Sequence, residues 1–412
     1  MRKNKLNSEL ENAFNKELNL IKNDLYYQQI EINRNGIRKF VRYDVMYKPL
    51  EILAGDSYSI RKAKDGKIVS FLLDAMGKGI SASITATSST TLLNYVFDQM
   101  QRQGDFEFKR WVKRFIEYIR GDLLENEMLA IILSCYDKNL STFKYASFGI
   151  PAFLIVDENG KLKKVKSNNP PINVYTDDYV IDEFSVKEIK KALFYTDGLC
   201  ENRLEDGSFY KEKMYQDFVE SDNIVDFINR VNESIEDKAD DLTFFYINTI
   251  PYNQNYIVRK VPASKEALDE ILVEISEYVK KQGASTKALS EISLALSELL
   301  NNALEHGVYG ISNSKKSYLI ENGLFDDELN NLAEINKEKT INVKYTIINE
   351  NNTKIFVARI EDEGKGFDVR SLKHLVVNPE GFNGRGIMII KKLLDRIYFN
   401  EEGNCVTIRK FL

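Results

Sequence analysis

Four short stretches of the sequence set aspartates beside apolar runs, the first three with glycines close by: Gly55-Asp56, Asp74-Ala-Met-Gly-Lys-Gly79, Thr196-Asp197-Gly198 and Asp240-Asp241-Leu-Thr243. Each apolar run reads as a strand. Carboxylates that emerge where buried strands end, with glycines permitting sharp turns and close backbone approach, can converge on hard cations. An oxygen-only donor set of this kind selects Mg²⁺ or Mn²⁺. Two such ions would neutralise a phosphate, acidify a water between them and align it for in-line attack. Singly, an Asp-Gly pair is more often a turn and a strand-end aspartate a solvated cap. All four in one strand-rich stretch are far more specific.

Histidine sharpens this reading by its scarcity. Only His306 and His374 occur, and residues 1–305 contain none. A Ser/His/Asp or Cys/His pair, or a His-rich zinc site, therefore has no imidazole to use in the first three-quarters of the chain. Cys135, Cys200 and Cys405 lie far apart, with neither zinc-type spacing nor a disulfide framework. Carboxylates must carry any chemistry there.

A second set lies further on. Glu298 and Asn302 are four apart on a predicted helix over 286–306 and share a face, with Ala295 and His306 on roughly the same stripe. A strand ending at Ile360 runs into Asp362-Glu-Gly364-Lys-Gly366, and Gly384-Arg-Gly386 opens another helix. Glycine backbones at a helix N-terminus make a phosphate cradle. A lone DxGxG says little; the ordered set of three points to a nucleotide. A histidine ending a helix, like His306, is more often structural, and neither histidine sits on a helix upstream of this site. That disfavours a histidine autokinase.

The elements that must position these residues follow from the pattern. The chain has 412 residues, enough for two or three domains. Apolar residues make 43% and aromatics 11%, ample for packed cores. Lys and Arg number 57 against 62 Asp and Glu, a net charge of −5 that argues against nucleic acid as a partner. No apolar run is long enough for a membrane span, and the polar N-terminus does not resemble a secretory signal, so a cytoplasmic protein is expected.

Residues 6–30 place Leu6, Leu10, Phe14, Leu18, Ile21 and Leu25 at helical spacing, which predicts a helical segment within residues 1–40 that docks or dimerises. Residues 41–250 read as strands interrupted by helices at 80–102 and 106–120. From 256 to 412 the pattern gives helices at 264–281 and 286–306, strands at 341–348, 354–361 and 404–410, a helix at 386–396, and a polar helical insertion over 311–340. The fold class is therefore α+β with mostly antiparallel sheets.

The segments LAGDSYSI, LLDAMGKGISA, FKYASFGIPAFLI, LFYTDGLCENR and DDLTFFYI resemble the SpoIIE/RsbU branch of the metal-dependent, type-2C serine/threonine phosphatases, from about Val45 to Ile247. The resemblance implies an antiparallel β-sandwich flanked by helices. It also implies that Asp74 bridges two Mn²⁺ or Mg²⁺ ions with the carbonyl of Ala75 as a further ligand, that Asp197 and Asp240 complete the site, and that Asp56 holds metal-bound waters or a weaker metal. Asp241 would stand behind them. Ala75 occupies a position where many relatives have Gly, and no arginine precedes the first aspartate to grip phosphate.

The segments LSELLNNALEHG, IEDEGKGFD and NGRGIMIIKKLLDRI resemble the GHKL ATPase fold, an α/β sandwich, and within it the RsbW/SpoIIAB kind of anti-sigma-factor serine kinase. By that resemblance Asn302 coordinates Mg²⁺ on ATP, Asp362 accepts from the adenine amine, Gly364 and Gly366 admit the nucleotide, Gly384 and Gly386 contact phosphates, and Glu298 is the general base. The two resemblances together imply a bifunctional partner-switching regulator that dephosphorylates a STAS-type anti-sigma factor antagonist and phosphorylates the same or a related protein. In the alternative, the second domain only binds ATP, or sequesters a sigma factor or other partner.

Overall fold

The structure is a computed structural model that describes residues 16–25, 28–34, 36–50, 53–77, 79–104, 106–204, 206–235, 240–251, 255–350, 353–369 and 390–412. By internal packing the chain divides into two units, Met1–Leu25 with Val41–Ile250, and Tyr26–Phe40 with Pro251–Leu412. Among the described residues no helix is long and apolar enough to cross a membrane.

In chain order the first part runs β1 (Gln29–Arg34), β2 (Ile37–Lys48), β3 (Asp56–Lys62), β4 (Ile68–Ala75), α1 (Ile80–Gln103), α2 (Phe108–Asp122), β5 (Leu129–Asp137), β6 (Thr142–Phe148), β7 (Phe153–Asp157), β8 (Leu162–Val165), β9 (Asp182–Ser185) and β10 (Ile189–Tyr195). The short helix α3 (Asp197–Cys200), then α4 (Lys211–Glu220), α5 (Ile224–Ser234) and β11 (Leu242–Pro251) follow. Within the first unit one sheet has the order β3-β4-β5-β6-β9, and the other runs from the part of β2 after Phe40 through β11, β10 and β7 to β8. Their inner faces meet through aromatic rings, as sandwich packing requires. Phe143 lies 5.6 Å from Phe194, Tyr145 stands edge-on to Phe153 at 5.3 Å, and Tyr58 meets Phe245 at 5.6 Å.

Each outer face is covered by helices. α1 and α2 bury Leu93, Phe97, Trp111 and Phe115 against Phe71, Leu73, Ile131 and Leu133. On the other sheet, Tyr210, Met214, Phe218 and Phe227 from α4, α5 and the residue before α4 pack on Leu193, Tyr195, Phe244 and Tyr246. Period-2 strands with one face inward and amphipathic helices on the other give an antiparallel sandwich flanked by helices.

The N-terminal reading needs correction. Leu6, Leu10 and Phe14 lie outside the described residues. Helical structure covers residues 16–20 and stops there. Asn23 then forms a parallel bridge with Ile60, and Asp24 N and Ile60 N donate to the carbonyls of Ile60 and Lys22, both at 2.8 Å. Instead of continuing a helix to residue 30, the chain turns extended to pair with the edge strand β3, and the stripe residues Ile21 and Leu25 are buried by that pairing. Residues 29–34 and 37–48 are strands, so the later part of the segment 1–40 is extended rather than helical. The segment meets α1 where Asn94 donates to the carbonyl of Leu20 at 3.0 Å.

The second unit has β12 (Ile257–Pro262), α6 (Lys265–Lys281), α7 (Thr286–Asn302), a π-helical turn (Ala303–Val308), α8 (Asn313–Glu321), α9 (Phe325–Ile335), β13 (Thr340–Glu350), β14 (Thr353–Glu361), β15 (Arg396–Phe399) and β16 (Cys405–Phe411). The sheet order is β12-β13-β14-β16-β15. α6 and α7 lay Ile271, Ile275, Ile292, Leu296 and Leu299 on Ile341, Val343, Phe356, Ala358 and Ile408, a two-layer sandwich. Ser264 and Ser285 cap the two helices through Ala267 N and Ala288 N. The predicted insertion appears as α8 and α9. The predicted helix over 386–396 is helical at 390–393 among the described residues, and β15 begins at Arg396, a strand the sequence reading did not separate.

Candidate functional site

The first site forms where strands of both sheets end. β3 and β4 run antiparallel with Asp56 directly opposite Asp74, and Ala75 follows opposite Leu129 of β5. From the facing sheet, β10 leads through Thr196 into Asp197, and Asp240 and Asp241 precede β11, its antiparallel neighbour. Thr196 ties this end together: its N–H donates to the carbonyl of Thr243 at 3.1 Å and its hydroxyl to Asp56 Oδ2 at 2.8 Å. The approach is close enough that a Cβ on Gly198 would run into the carbonyl oxygen of Asp241. Only glycine fits there.

Electrostatics marks these carboxylates. Asp56 is 2% exposed, and burial holds its pKa well above the ordinary aspartate range against the hydrogen bond from Thr196. Asp74 is pushed up to about 9, first by burial, then by the charges of Asp56 and Asp197, a hydrogen bond with Asp197 and the charge of Asp240. Like charges in a desolvated place disfavour ionisation, which is the condition a divalent cation relieves. Among the described residues no three acidic, imidazole or thiol side chains stand close enough together to hold a metal ion as they are placed. The donor chemistry nonetheless fits Mn²⁺ or Mg²⁺: oxygen donors only, with the charges of Asp56, Asp197 and Asp240 acting on a buried Asp74 that a divalent cation would neutralise.

Asp241 stands behind the site and organises it. Its Oδ2 accepts from Gly55 N at 2.7 Å and Asp56 N at 3.4 Å, and its Oδ1 from Leu50 N at 2.7 Å. A carboxylate of β11's leading end thus fixes the loop that delivers Asp56.

The second site gathers around the end of α7. Glu298 and Asn302 share a face, their side chains 3.5 Å apart. The helix then widens into the π-helical turn, which carries Gly307 against the carboxylate of Asp362 so closely that a Cβ would collide with it. Asp362 Oδ1 accepts from Gly364 N at 2.8 Å, and Asp362 N donates to the carbonyl of Asn404 at 3.0 Å. Burial raises Asp362 to about 6 against that backbone hydrogen bond. Gly366 sits at φ +68°, with no room for a side chain beside the Glu402 carbonyl. His306 bonds through Nδ1 to the carbonyl of Ile311 at 2.5 Å, a tie within the turn. Gly384, Gly386 and His374 lie outside the described residues.

Residues 64–249 match the family described as Stage II sporulation protein E (SpoIIE), and residues 261–410 match the Histidine kinase-like ATPase domain. The chain joins a SpoIIE-type domain to a histidine kinase-like ATPase domain. The SpoIIE-type match contains Asp74, Ala75, Asp197, Asp240 and Asp241, whereas Asp56 precedes it. The ATPase-domain match contains Glu298, Asn302, Asp362, Gly364 and Gly366. Phosphoserine phosphatase RsbP of Bacillus subtilis (strain 168) is 26% identical over 168 residues, 39% of this chain and 40% of that protein. The chain thus matches about two-fifths of the length of this curated relative. Among solved structures, the RsbU and RsbW domains of Rv1364c from Mycobacterium tuberculosis align over 93% of this chain and 96% of theirs, at 14% identity and a TM-score of 0.47. The SiaA-PP2C domain of Pseudomonas aeruginosa aligns over 61% of this chain and 98% of its own, also at 14% and 0.47.

Sequence reasoning did not find Gly307 or Asn404. Gly307 follows the Glu298–Asn302 stripe, but its close approach to Asp362 has no local sign. Asn404 meets Asp362 through a contact between distant stretches, for which no local spacing exists.

Proposed function

We propose that the SpoIIE-type domain is a metal-dependent phosphoserine/phosphothreonine protein phosphatase, and that the ATPase domain phosphorylates a protein serine or threonine. The observation that carries the first part is the approach of strand ends from both sheets: Asp56 stands opposite Asp74, and Thr196, next to Asp197 on the facing sheet, donates its hydroxyl to Asp56. Bound Mn²⁺ or Mg²⁺ would supply Lewis acidity toward phosphate oxygens and an acidified water. Asp74, Asp197, Asp240 and the Ala75 carbonyl are the residues that would hold it, with Asp56 orienting water. Asp241 keeps the Asp56 loop in place. No histidine is available as general acid, so proton movement falls to these carboxylates.

In the second domain, Asp362 accepts from an adenine amine, Gly364 and Gly366 leave room for the nucleotide, and Gly384 and Gly386 bind phosphates. Asn302 would hold Mg²⁺ on a bound ATP, and Glu298 would take the proton of the acceptor hydroxyl. Kinase and phosphatase on one chain set a partner's phosphorylation by their rate ratio. A STAS-type anti-sigma factor antagonist is the substrate this pairing suits, in a cytoplasmic regulator with a sigma factor or anti-sigma factor among its partners. The test is phosphate release from a serine-phosphorylated STAS-type protein with Mn²⁺, repeated with ATP. Release without rephosphorylation in any ATP condition leaves the second domain as a nucleotide-binding or sequestering module.

A further inference from the structure

Glu17 is buried, 7% exposed, at the end of the N-terminal segment, inside the phosphatase unit and before the residues that match the SpoIIE family. Its Oε1 accepts from the Tyr47 hydroxyl at 2.5 Å and from Ala54 N at 3.4 Å. Tyr47 is held in turn by Tyr58, 5.7 Å away between ring centres, and its phenol oxygen lies 3.5 Å from the carbonyl of Asp56. The loop that ends in Asp56 is therefore strapped from two directions, by Asp241 on Leu50, Gly55 and Asp56 and by Glu17 on Ala54 and Tyr47.

Docking of the segment does not explain this carboxylate. Asp24 accepts from Arg61 Nε and Lys62 N, both at 3.1 Å, the backbone pairs with Ile60, and Asn94 holds Leu20. Those bonds already fix residues 20–25 to β3 and α1. Glu17 in addition brings an acid into a buried place where its Oε2 has no hydrogen-bond partner among the described residues. A buried acceptor left without a partner is unfavourable, so simple anchoring would be better served by an apolar side chain.

We propose that Glu17 is a positioning residue of the phosphatase site, setting the Ala54–Asp56 loop so that Asp56 stands against Asp74 in the geometry the cation requires. This rests on the phosphatase reading above. Residues one contact removed from metal ligands tune affinity because they fix ligand orientation.

The test uses the full chain, Mn²⁺ titration calorimetry and hydrolysis of p-nitrophenyl phosphate. Glu17→Ala should weaken Mn²⁺ binding by about tenfold, within the range such removals cause, and lower kcat more than it raises KM. Glu17→Gln, whose Oε1 still accepts from Tyr47 and Ala54, should restore most of both, and Tyr47→Phe should shift Mn²⁺ affinity in the same direction as Glu17→Ala. Asp24→Ala, which loosens docking elsewhere on the segment, should lower Tm and leave Mn²⁺ affinity within twofold. The inference fails if Glu17→Ala and Tyr47→Phe bind Mn²⁺ as wild type does, or if Asp24→Ala weakens binding as much as Glu17→Ala. Wild-type protein that neither binds Mn²⁺ nor hydrolyses the ester overturns the phosphatase reading itself, and this inference with it.

Discussion

Asp56 and Asp74 face each other across the antiparallel β3–β4 pair. Residues in that relation put their side chains on one face, within about 5 Å at Cβ. Two acids so placed work against folding unless a cation or proton lies between them. Perturbed carboxylates clustered at strand ends mark a site rather than a solvated turn.

One consequence is testable without any substrate. The folded-state pKa of Asp74 is about 9 against 3.8 for an ordinary aspartate, so its contribution to stability is complete below pH 3.8 and declines as pH rises toward 9. Asp74→Asn removes that decline. In EDTA its Tm should exceed the wild-type Tm at pH 7–8 and the gap should close toward pH 4. Saturating Mn²⁺ should raise the wild-type Tm and leave that of Asp74→Asn nearly unmoved. Thermal denaturation across pH 4–9 checks both, and an Asp74→Asn protein less stable than wild type at pH 8 in EDTA would count against the arrangement.

Asp241 is expected to matter through the loop it holds. Asp241→Ala leaves the N–H groups of Leu50 and Gly55 without their acceptor and should cost about 10–100-fold in metal affinity, the range for residues that orient ligands. Calorimetric Mn²⁺ titration measures it. Unchanged affinity would show that the loop holds its shape without this carboxylate.

The nucleotide site carries its own pH signature. An ionised Asp362 accepts from an adenine amine more strongly than the neutral acid does, and burial pushes its pKa up to about 6. ATP affinity should therefore fall as pH drops from 7 to 5, and Asp362→Asn should bind more weakly with a flatter profile. A second expectation concerns space. Gly307→Ala pushes a methyl group into the Asp362 carboxylate and should weaken ATP binding at every pH. Fluorescent ATP-analogue titrations decide both; a wild-type profile that is level from pH 5 to 7 contradicts the role given to Asp362.

Much of each of the two sites was legible because its residues announce themselves locally. Asp74, Asp197 and Asp240 stand at the ends of clear apolar strands, and Glu298 with Asn302 follows helical periodicity. The stripe Leu18, Ile21 and Leu25 illustrates the limit. Its spacing reports a buried face, but pairing with β3 some forty residues away decides whether that face is helical or extended, and tertiary pairing overrides local preference. Glu17 and Asn404 were silent for the same reason: a polar residue near a turn gives no hint of a partner brought in by topology. Gly307 differs, since its need is for an absent Cβ opposite Asp362, visible only once both loops are placed.

Transfer of phosphate by the second domain is separable from nucleotide binding. In an Asp74→Ala background, labelled ATP should place label on serine or threonine of a STAS-type antagonist. Asn302→Ala should abolish labelling along with Mg²⁺-ATP binding, whereas Glu298→Ala should sharply reduce labelling and keep binding. ATP binding without label on the antagonist would leave this domain as a sequestering module.

The most direct measurement of the central claim is phosphate release from a serine-phosphorylated STAS-type protein by wild type, Asp74→Ala and Asp197→Ala, each with Mn²⁺ and with EDTA. Wild type should release phosphate only with Mn²⁺, and both variants should fall to background, because one removes a ligand from each sheet. Full release in EDTA, or release by either variant at the wild-type rate, would contradict a site built from the carboxylates of two facing sheets.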